Sequence, residues 1–236
     1  MVDWSVKMNL SLSSVSASSH DAHRAVCLRC LKSQFTCYCS EVRAFRTGVQ
    51  IVLLQHPRER KKAIGTARMA HLAIENSVLI CDRQFTSNDR VNSLIADPSL
   101  QCVVLFPGPH SVNLSLIPPS QVQAQFDADR KLLIFVIDGT WAEAKRMVRQ
   151  SANLCGLPQI CFTPQRPSEY KIRQQPHEYC VSSIEAVHQL LGILDPSTDA
   201  DHLLELFRSM VALQIQCFQK NRMPELLQVP EYAGTI

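Results

Sequence analysis

Six consecutive apolar residues, Leu132 to Ile137, carry no polar face. Such a run predicts a strand buried on both sides, as in a parallel sheet covered by helices. It stops at Asp138. Gly139 allows a sharp turn, Thr140 supplies an N-cap, and Glu143 three residues on completes a capping box, so a helix should begin at Trp141. Trp141, Ala144 and Val148 then recur at helical spacing, while Lys145, Arg146 and Arg149 fall outside that stripe. In open α/β sheets, ligands bind beyond the carboxyl ends of strands, beside helix N-termini. Asp138 stands at such an edge.

The same patterning organises the rest of the chain. Val49 to Leu54 predicts a strand that ends before Pro57, which cannot continue a central ladder. Ile64 to Glu75 has helical character, Ser77 to Cys81 is a short strand, Asp89 to Ala96 a helix, and Cys102 to Phe106 a strand closed by Pro107 and Gly108. Residues 109 to 120 form a Pro-containing connection, and Gln159 to Phe162 a further short strand. Thr163 to Val181 has no usable period and three prolines; an irregular stretch that long inside a compact domain is more often functional than idle. Ser182 and Glu185 repeat the capping-box spacing and open a helix with Ile184, Val187, Leu191 and Leu194 on one face. A last amphipathic helix, about Asp199 to Lys220, should bury Leu203, Phe207, Met210 and Cys217. Strands alternating with helices give an α/β fold with a mostly parallel sheet and helices on both faces.

Composition narrows the function classes. With 46% hydrophobic and 19% charged residues, the chain has the profile of a soluble globular protein. No apolar run approaches the roughly 20 residues that span a bilayer, and no secretory signal pattern opens the chain, so a cytoplasmic protein without membrane contact is expected. Nothing calls for an obligate protein partner, and a monomer is expected. A net charge of +3 excludes a strongly basic nucleic-acid coat, yet the basic residues cluster. Arg58, Arg60, Lys61 and Lys62 form one tract, Lys145, Arg146 and Arg149 a second, and Arg166, Lys171 and Arg173 a third. Brought together, they would make a positive face for phosphates; singly, each is a solvated surface.

Four of the ten cysteines, Cys27, Cys30, Cys37 and Cys39, lie in C-x2-C-x6-C-x-C spacing. Four thiolates on so short a loop can surround one tetrahedral Zn²⁺, with an iron–sulfur cluster or metal-free thiols as alternatives. Cys81, Cys102 and Cys161 sit in or beside apolar runs, as buried free thiols do. The expected organisation is a Ser-rich disordered tail over 1–22, a four-cysteine module over 23–45, and a catalytic domain over 46–236. The seven glycines are never two apart, so no G-x-G-x-x-G is possible, and no Walker A loop occurs. His56 with Glu59 hints at a metal pair, but a His-Pro closing a strand is usually structural.

The segments IVLLQHPRE, VVLFPG, VIDGTWAEAKRM, LPQI, YKIRQQP and SSIEAV, in this order behind the cysteine cluster, resemble the DTW-domain family from about Cys27 to about Leu194. The likeness is strongest to its bacterial tRNA-uridine aminocarboxypropyltransferases, and all four cysteines match the family pattern. That resemblance implies a SPOUT-like domain whose C-terminal half forms a trefoil knot around bent S-adenosylmethionine. General topology rules argue against knots. It further implies transfer of the 3-amino-3-carboxypropyl group to N3 of a uridine in tRNA, with release of 5′-methylthioadenosine.

Residues matched to the family then acquire candidate roles. Asp138 is a candidate base for the N3 proton, or else a residue that orients the donor or the DGTW turn. Gly139, Thr140 and Trp141 belong to the donor site, Trp141 either stacking on a base or packing in the core. Phe106, Pro107, Gly108, Leu157 and Pro158 match positions that line the donor pocket. Tyr170 and Arg173 could hold the donor carboxylate or an RNA phosphate, and Ser182 and Ser183 cap the following helix. Two further readings compete: a SPOUT-type methyltransferase using the same donor, and a noncatalytic zinc-containing RNA-binding module.

Overall fold

A computed structural model describes residues 25–62, 64–172 and 180–220. The expected tail over 1–22 and the candidate Arg173 lie outside these residues. The described residues form a six-stranded sheet in which every pairing is parallel. Its strands are β1 (Gln50–Gln55), β2 (Val78–Cys81), β3 (Leu100–Leu105), β4 (Val112–Asn113), β5 (Lys131–Asp138) and β6 (Gln159–Cys161), in the order β2-β1-β5-β3-β6-β4. The helices are α1 (Thr66–Ala73), α2 (Asp89–Ala96), α3 (Pro119–Val122), α4 (Trp141–Gln150), α5 (Ala152–Cys155), α6 (Ser183–Leu194) and α7 (Asp201–Lys220).

The uniformly apolar run becomes β5, at the centre between β1 and β3. Its side chains alternate between two separate cores, because successive Cβ atoms of a strand point to opposite faces. Leu132, Ile134 and Val136 join Ile51, Leu53 and Val103 in one core with residues of α1, α6 and α7. Leu133 and Phe135 join Val52, Leu54 and Val104 in the other, covered by Val91 of α2, Met147 of α4 and Leu154 of α5. Helices therefore cover both faces, as a run without a polar side requires. Among the described residues, no helix is long and apolar enough to cross a membrane.

Three expectations need correction. The connection over 109–120 contains β4, a two-residue edge strand paired with β6, and a 3-10 turn over Leu114–Leu116. Cys81, at the end of edge strand β2, is exposed rather than buried, and Cys217 is only partly buried on α7. Cys102 is buried and Cys161 half-buried.

The four-cysteine segment does not stand apart from this core. Cys30 and Tyr38 are wholly buried in the core that holds α1, α6 and α7. A tight turn follows Cys30, in which Leu31 takes a left-handed backbone conformation (φ 60°), uncommon for a bulky residue. The turn is closed by Leu31 N–H to Cys27 O and Cys27 N–H to Lys32 O.

Both predicted capping boxes are present. In α6 the Glu185 carboxylate accepts from the Ser182 N–H and hydroxyl. It also accepts from the Ser168 hydroxyl and the Glu169 N–H, and so ties the irregular 163–172 stretch to the helix start. Glu185 is 8% exposed, so its charge depends on these donors. Glu185→Ala should therefore cost about 3 kcal/mol of unfolding free energy, since hydrogen bonds to a charged group contribute about 1.5–3 kcal/mol each and rarely add fully. Urea unfolding with wild-type stability would show that the cap does not hold this stretch.

Candidate active site

Beyond the carboxyl ends of β3, β5 and β6 lies a cavity of about 470 Å³. That is within the roughly 300–1,000 Å³ range of small-molecule sites. Its wall includes Leu105, Phe106 and Pro107 after β3, Val136, Ile137 and Gly139 from β5 and its turn, and Cys161 and Phe162 after β6. Pro164, Tyr170 and Val181 close it from the irregular stretch. The starts of three helices converge on it: Thr66 of α1, Thr140 and Trp141 of α4, and Ser182 and Ser183 of α6. An apolar, aromatic wall beside helix starts suits a ligand that pairs a flat ring with an anionic group.

Trp141 is half-buried, lines the cavity, and lies 6.5 Å from the Phe106 ring, centroid to centroid, in a tilted arrangement. Only Ala144, Met147 and Val148 form the buried stripe of α4. Gly139 has little room for a side chain, since an added Cβ would sit 3.2 Å from the Glu143 Cβ.

Asp138 is 3% exposed and is not part of the cavity wall. Its Oδ2 accepts from Gln55 Nε2 at 2.9 Å and its Oδ1 from the Ser183 hydroxyl at 2.5 Å. Its backbone carbonyl accepts the His56 N–H at 2.8 Å. Asp138 thus joins the end of β1, the end of β5 and the start of α6. Gln55, in the IVLLQHPRE segment but given no candidate role there, sits opposite it in register and is 1% exposed. The hydroxyl of Ser183 is therefore turned to this carboxylate, while Ser182 is the capping residue.

The other candidates distribute unevenly. Tyr170 lines the cavity, but its hydroxyl donates to Ile64 O at 3.1 Å and its ring packs edge-on against Phe207. Gly108, Leu157 and Pro158 lie outside the wall. Gly108 is pressed against the Gln159 side chain, Leu157 packs on the second core, and the Pro158 carbonyl accepts from Val104. Wall residues missed in the sequence include Thr66, Phe162, Pro164 and Ala186. A hydroxyl or proline in a helix start or loop gives no signal until the chain folds.

Of the basic residues, Arg58, Arg60, Lys61, Lys145, Arg146, Arg149 and Lys171 are all exposed. The first two tracts meet where Arg58 Nη1 lies 3.4 Å from Glu143 on α4. Lys171 follows the cavity-lining Tyr170. His56 turns to Glu143 rather than Glu59, with Nδ1 3.4 Å from its carboxylate.

The sulfurs of Cys27, Cys30, Cys37 and Cys39 all lie within 4.8 Å of one another. The Cys27–Cys39 and Cys30–Cys37 pairs are each 3.7 Å apart. Four thiolates about 2.3 Å from a tetrahedral metal would be spaced about 3.8 Å apart, so the donor set fits an ion. Backbone N–H groups of Cys30 and Arg29 pull the Cys27 thiol down to about 6, whereas burial pushes Cys30 and Cys39 up.

Comparison with known proteins places these features in a family. The family described as DTW domain matches residues 24–215. The chain is 32% identical over 178 residues to "tRNA-uridine aminocarboxypropyltransferase 2" of Drosophila melanogaster, covering 73% of this chain and 67% of the relative. It is 27% identical over 206 residues to the Mus musculus protein of that name, covering 84% and 66% respectively. It is 24% identical over 234 residues to "tRNA-uridine aminocarboxypropyltransferase A" of Arabidopsis thaliana, covering 88% and 89%. The chain spans about two thirds of the length of these two animal relatives. No solved structure matches it.

The α4 cap gives the site a pH dependence. Burial raises the Glu143 carboxyl, but the Thr140 N–H and hydroxyl, His56 and Arg58 together outweigh it and hold the group below the usual glutamate range. With the folded value depressed, its stabilisation is complete above the unfolded pKa of about 4.3 and is lost as pH falls through the folded value. Glu143→Gln should therefore flatten the acid limb of stability between about pH 5 and pH 3. Superimposable limbs for variant and wild type would remove this role.

Proposed function

The chain belongs to the DTW-domain family, and on that premise we propose that it transfers the 3-amino-3-carboxypropyl group of S-adenosylmethionine to N3 of a uridine in tRNA. The observation that carries the proposal is the cavity at the carboxyl edge of β3, β5 and β6, which the DGTW turn helps to build. In the reaction a bond forms between N3 and the γ-carbon of the donor. The bond from that carbon to sulfur breaks, and its electron pair leaves on the neutral thioether of 5′-methylthioadenosine. The N3 proton passes to water. A sulfonium is already an activated leaving group, so the protein chiefly aligns nucleophile and carbon.

Phe106 and Trp141 form an aromatic wall for the adenine, with Pro107, Gly139 and Phe162 beside them. Burial of Asp138 between Gln55 and Ser183 supports a positioning role over that of a base, since both oxygens already accept hydrogen bonds. The exposed tracts around Arg58, Lys145 and Arg149 would meet tRNA phosphates. A cytoplasmic location and a SPOUT-like knot belong to the same reading. The insertion of β6 between β3 and β4 after β5 has filled the centre supports a threaded C-terminal half.

Incubation with S-adenosylmethionine and unmodified tRNA should give 5′-methylthioadenosine and an RNA mass gain equal to the aminocarboxypropyl group. Release of S-adenosylhomocysteine with a methyl mass gain would replace this reading with a methyltransferase, and no product at all would leave an RNA-binding module. Asp138→Asn should weaken donor affinity about 10-fold, because the wall residue Ser183 loses its charge-assisted anchor. A fall in kcat of about 10² or more at unchanged donor affinity would make Asp138 the base instead.

The four cysteines would hold a structural Zn²⁺, supported by their chemistry and spacing. Bound there, zinc adds folding energy and does no chemistry. Elemental analysis should find one zinc per chain, and Cys37→Ser should lose both the metal and much of the thermal stability. Metal-free protein of unchanged stability, or iron in place of zinc, would overturn the assignment.

A further inference from the structure

Five hydroxyls stand in the cavity wall, on Thr66, Thr140, Tyr170, Ser182 and Ser183. Four are engaged within the protein: Thr140 with Glu143, Tyr170 with Ile64 O, Ser182 with Glu185 and Ser183 with Asp138. The Thr66 hydroxyl makes no hydrogen bond among the described residues, although Thr66 is only 4% exposed. A hydroxyl carried by a buried residue of the cavity wall and without a protein partner among the described residues is placed for a ligand.

The helix behind it differs from its neighbours in the same way. The starts of α4 and α6 are closed by their own acids, Glu143 and Glu185. The N-cap of α1 is Gly65, which offers no side-chain cap. The first hydrogen bond into that helix start is Met69 N–H to Gly65 O, which leaves the N–H groups of Thr66, Ala67 and Arg68 without acceptors among the described residues. Positive charge stands close by. Lys32 Nζ lies 4.0 Å from where a Cβ on Gly65 would sit, held there by its bond to Lys62 O.

From these observations we infer that Thr66 and the uncapped first turn of α1 bind the carboxylate of the transferred aminocarboxypropyl arm. The inference rests on the donor proposed above and adds the place where its acid end is held. An RNA phosphate is not the occupant, because a residue this deeply buried is out of reach of a tRNA backbone. Of the two sequence candidates for the carboxylate, Arg173 lies outside the described residues, and Tyr170 has its hydroxyl turned to Ile64. Anchoring the carboxylate at Thr66 fixes one end of the arm whose γ-carbon must meet the uridine.

Calorimetric titration with S-adenosylmethionine and with its decarboxylated analogue, which keeps the amine and the adenosine, tests this directly. Wild type should prefer the full donor. Thr66→Val, which keeps the shape and removes the hydroxyl, should lose about 10-fold in affinity for S-adenosylmethionine, the size expected for a hydrogen bond to a charged group. Its affinity for the decarboxylated analogue should change less than twofold, and Thr66→Ser should restore the preference. Thr66→Ala provides a second hydroxyl-free variant should valine disturb the buried site. Equal loss for both ligands, or no loss for either, overturns the carboxylate subsite while leaving the donor reading intact. Wild-type protein that binds neither ligand overturns both.

Discussion

A carboxylate buried at the end of the central strand is the constraint on which the rest of the site depends. A charge as enclosed as that of Asp138 costs several kcal/mol to desolvate unless donors surround it. Gln55 supplies one from the end of β1, and Ser183 another from the first turn of α6. Satisfying that one side chain therefore fixes where two other elements end and begin. The cavity is the space left between those ends, and its wall inherits their placement: Ser182 and Ser183 on one side, Gly139, Thr140 and Trp141 on the other.

Electrostatics at this edge follow from which helix starts are closed. Thr140 with Glu143 and Ser182 with Glu185 place an acid on the first turns of α4 and α6, which offsets the positive ends of those helices. Glu143 then draws in Arg58, so the basic tract after β1 lies against the helix that carries Lys145, Arg146 and Arg149. Among the described residues, α1 is the helix whose start at the cavity has no acid of its own to cap it. The described residues thus give an interior edge whose helix starts differ in charge and an outer rim of exposed basic side chains.

What the sequence discloses here is local. The alternation-free run of β5, the helix over Asp89–Ala96 and both capping boxes were legible because each is decided by neighbours within a few residues. Asp138 could be located at a strand end, but not its partners, since Gln55 is 83 positions away and Ser183 is 45. The spacing of Trp141 with Ala144 and Val148 fits a core stripe, yet a first-turn residue next to a strand end can face the ligand side instead. Two-residue β4 has no period to detect, and it owes its existence to the exposed edge of β6. Cys81 belongs to an apolar run, but its position at the end of an edge strand leaves it in solvent.

The four-cysteine knuckle and the cavity are mechanically one structure. Lys32, two residues after Cys30, donates to Lys62 O, and the Tyr170 hydroxyl donates to Ile64 O. Both bonds grip the residues that lead into α1, and Thr66 is the first residue of that helix. The knuckle's own backbone is held in an unfavourable left-handed turn at Leu31, a conformation that persists only where its surroundings over-determine it. A metal gathering the four sulfurs would be such a surrounding. The knuckle therefore reaches the start of α1 through Lys32 and Lys62, without any of its cysteines lining the cavity.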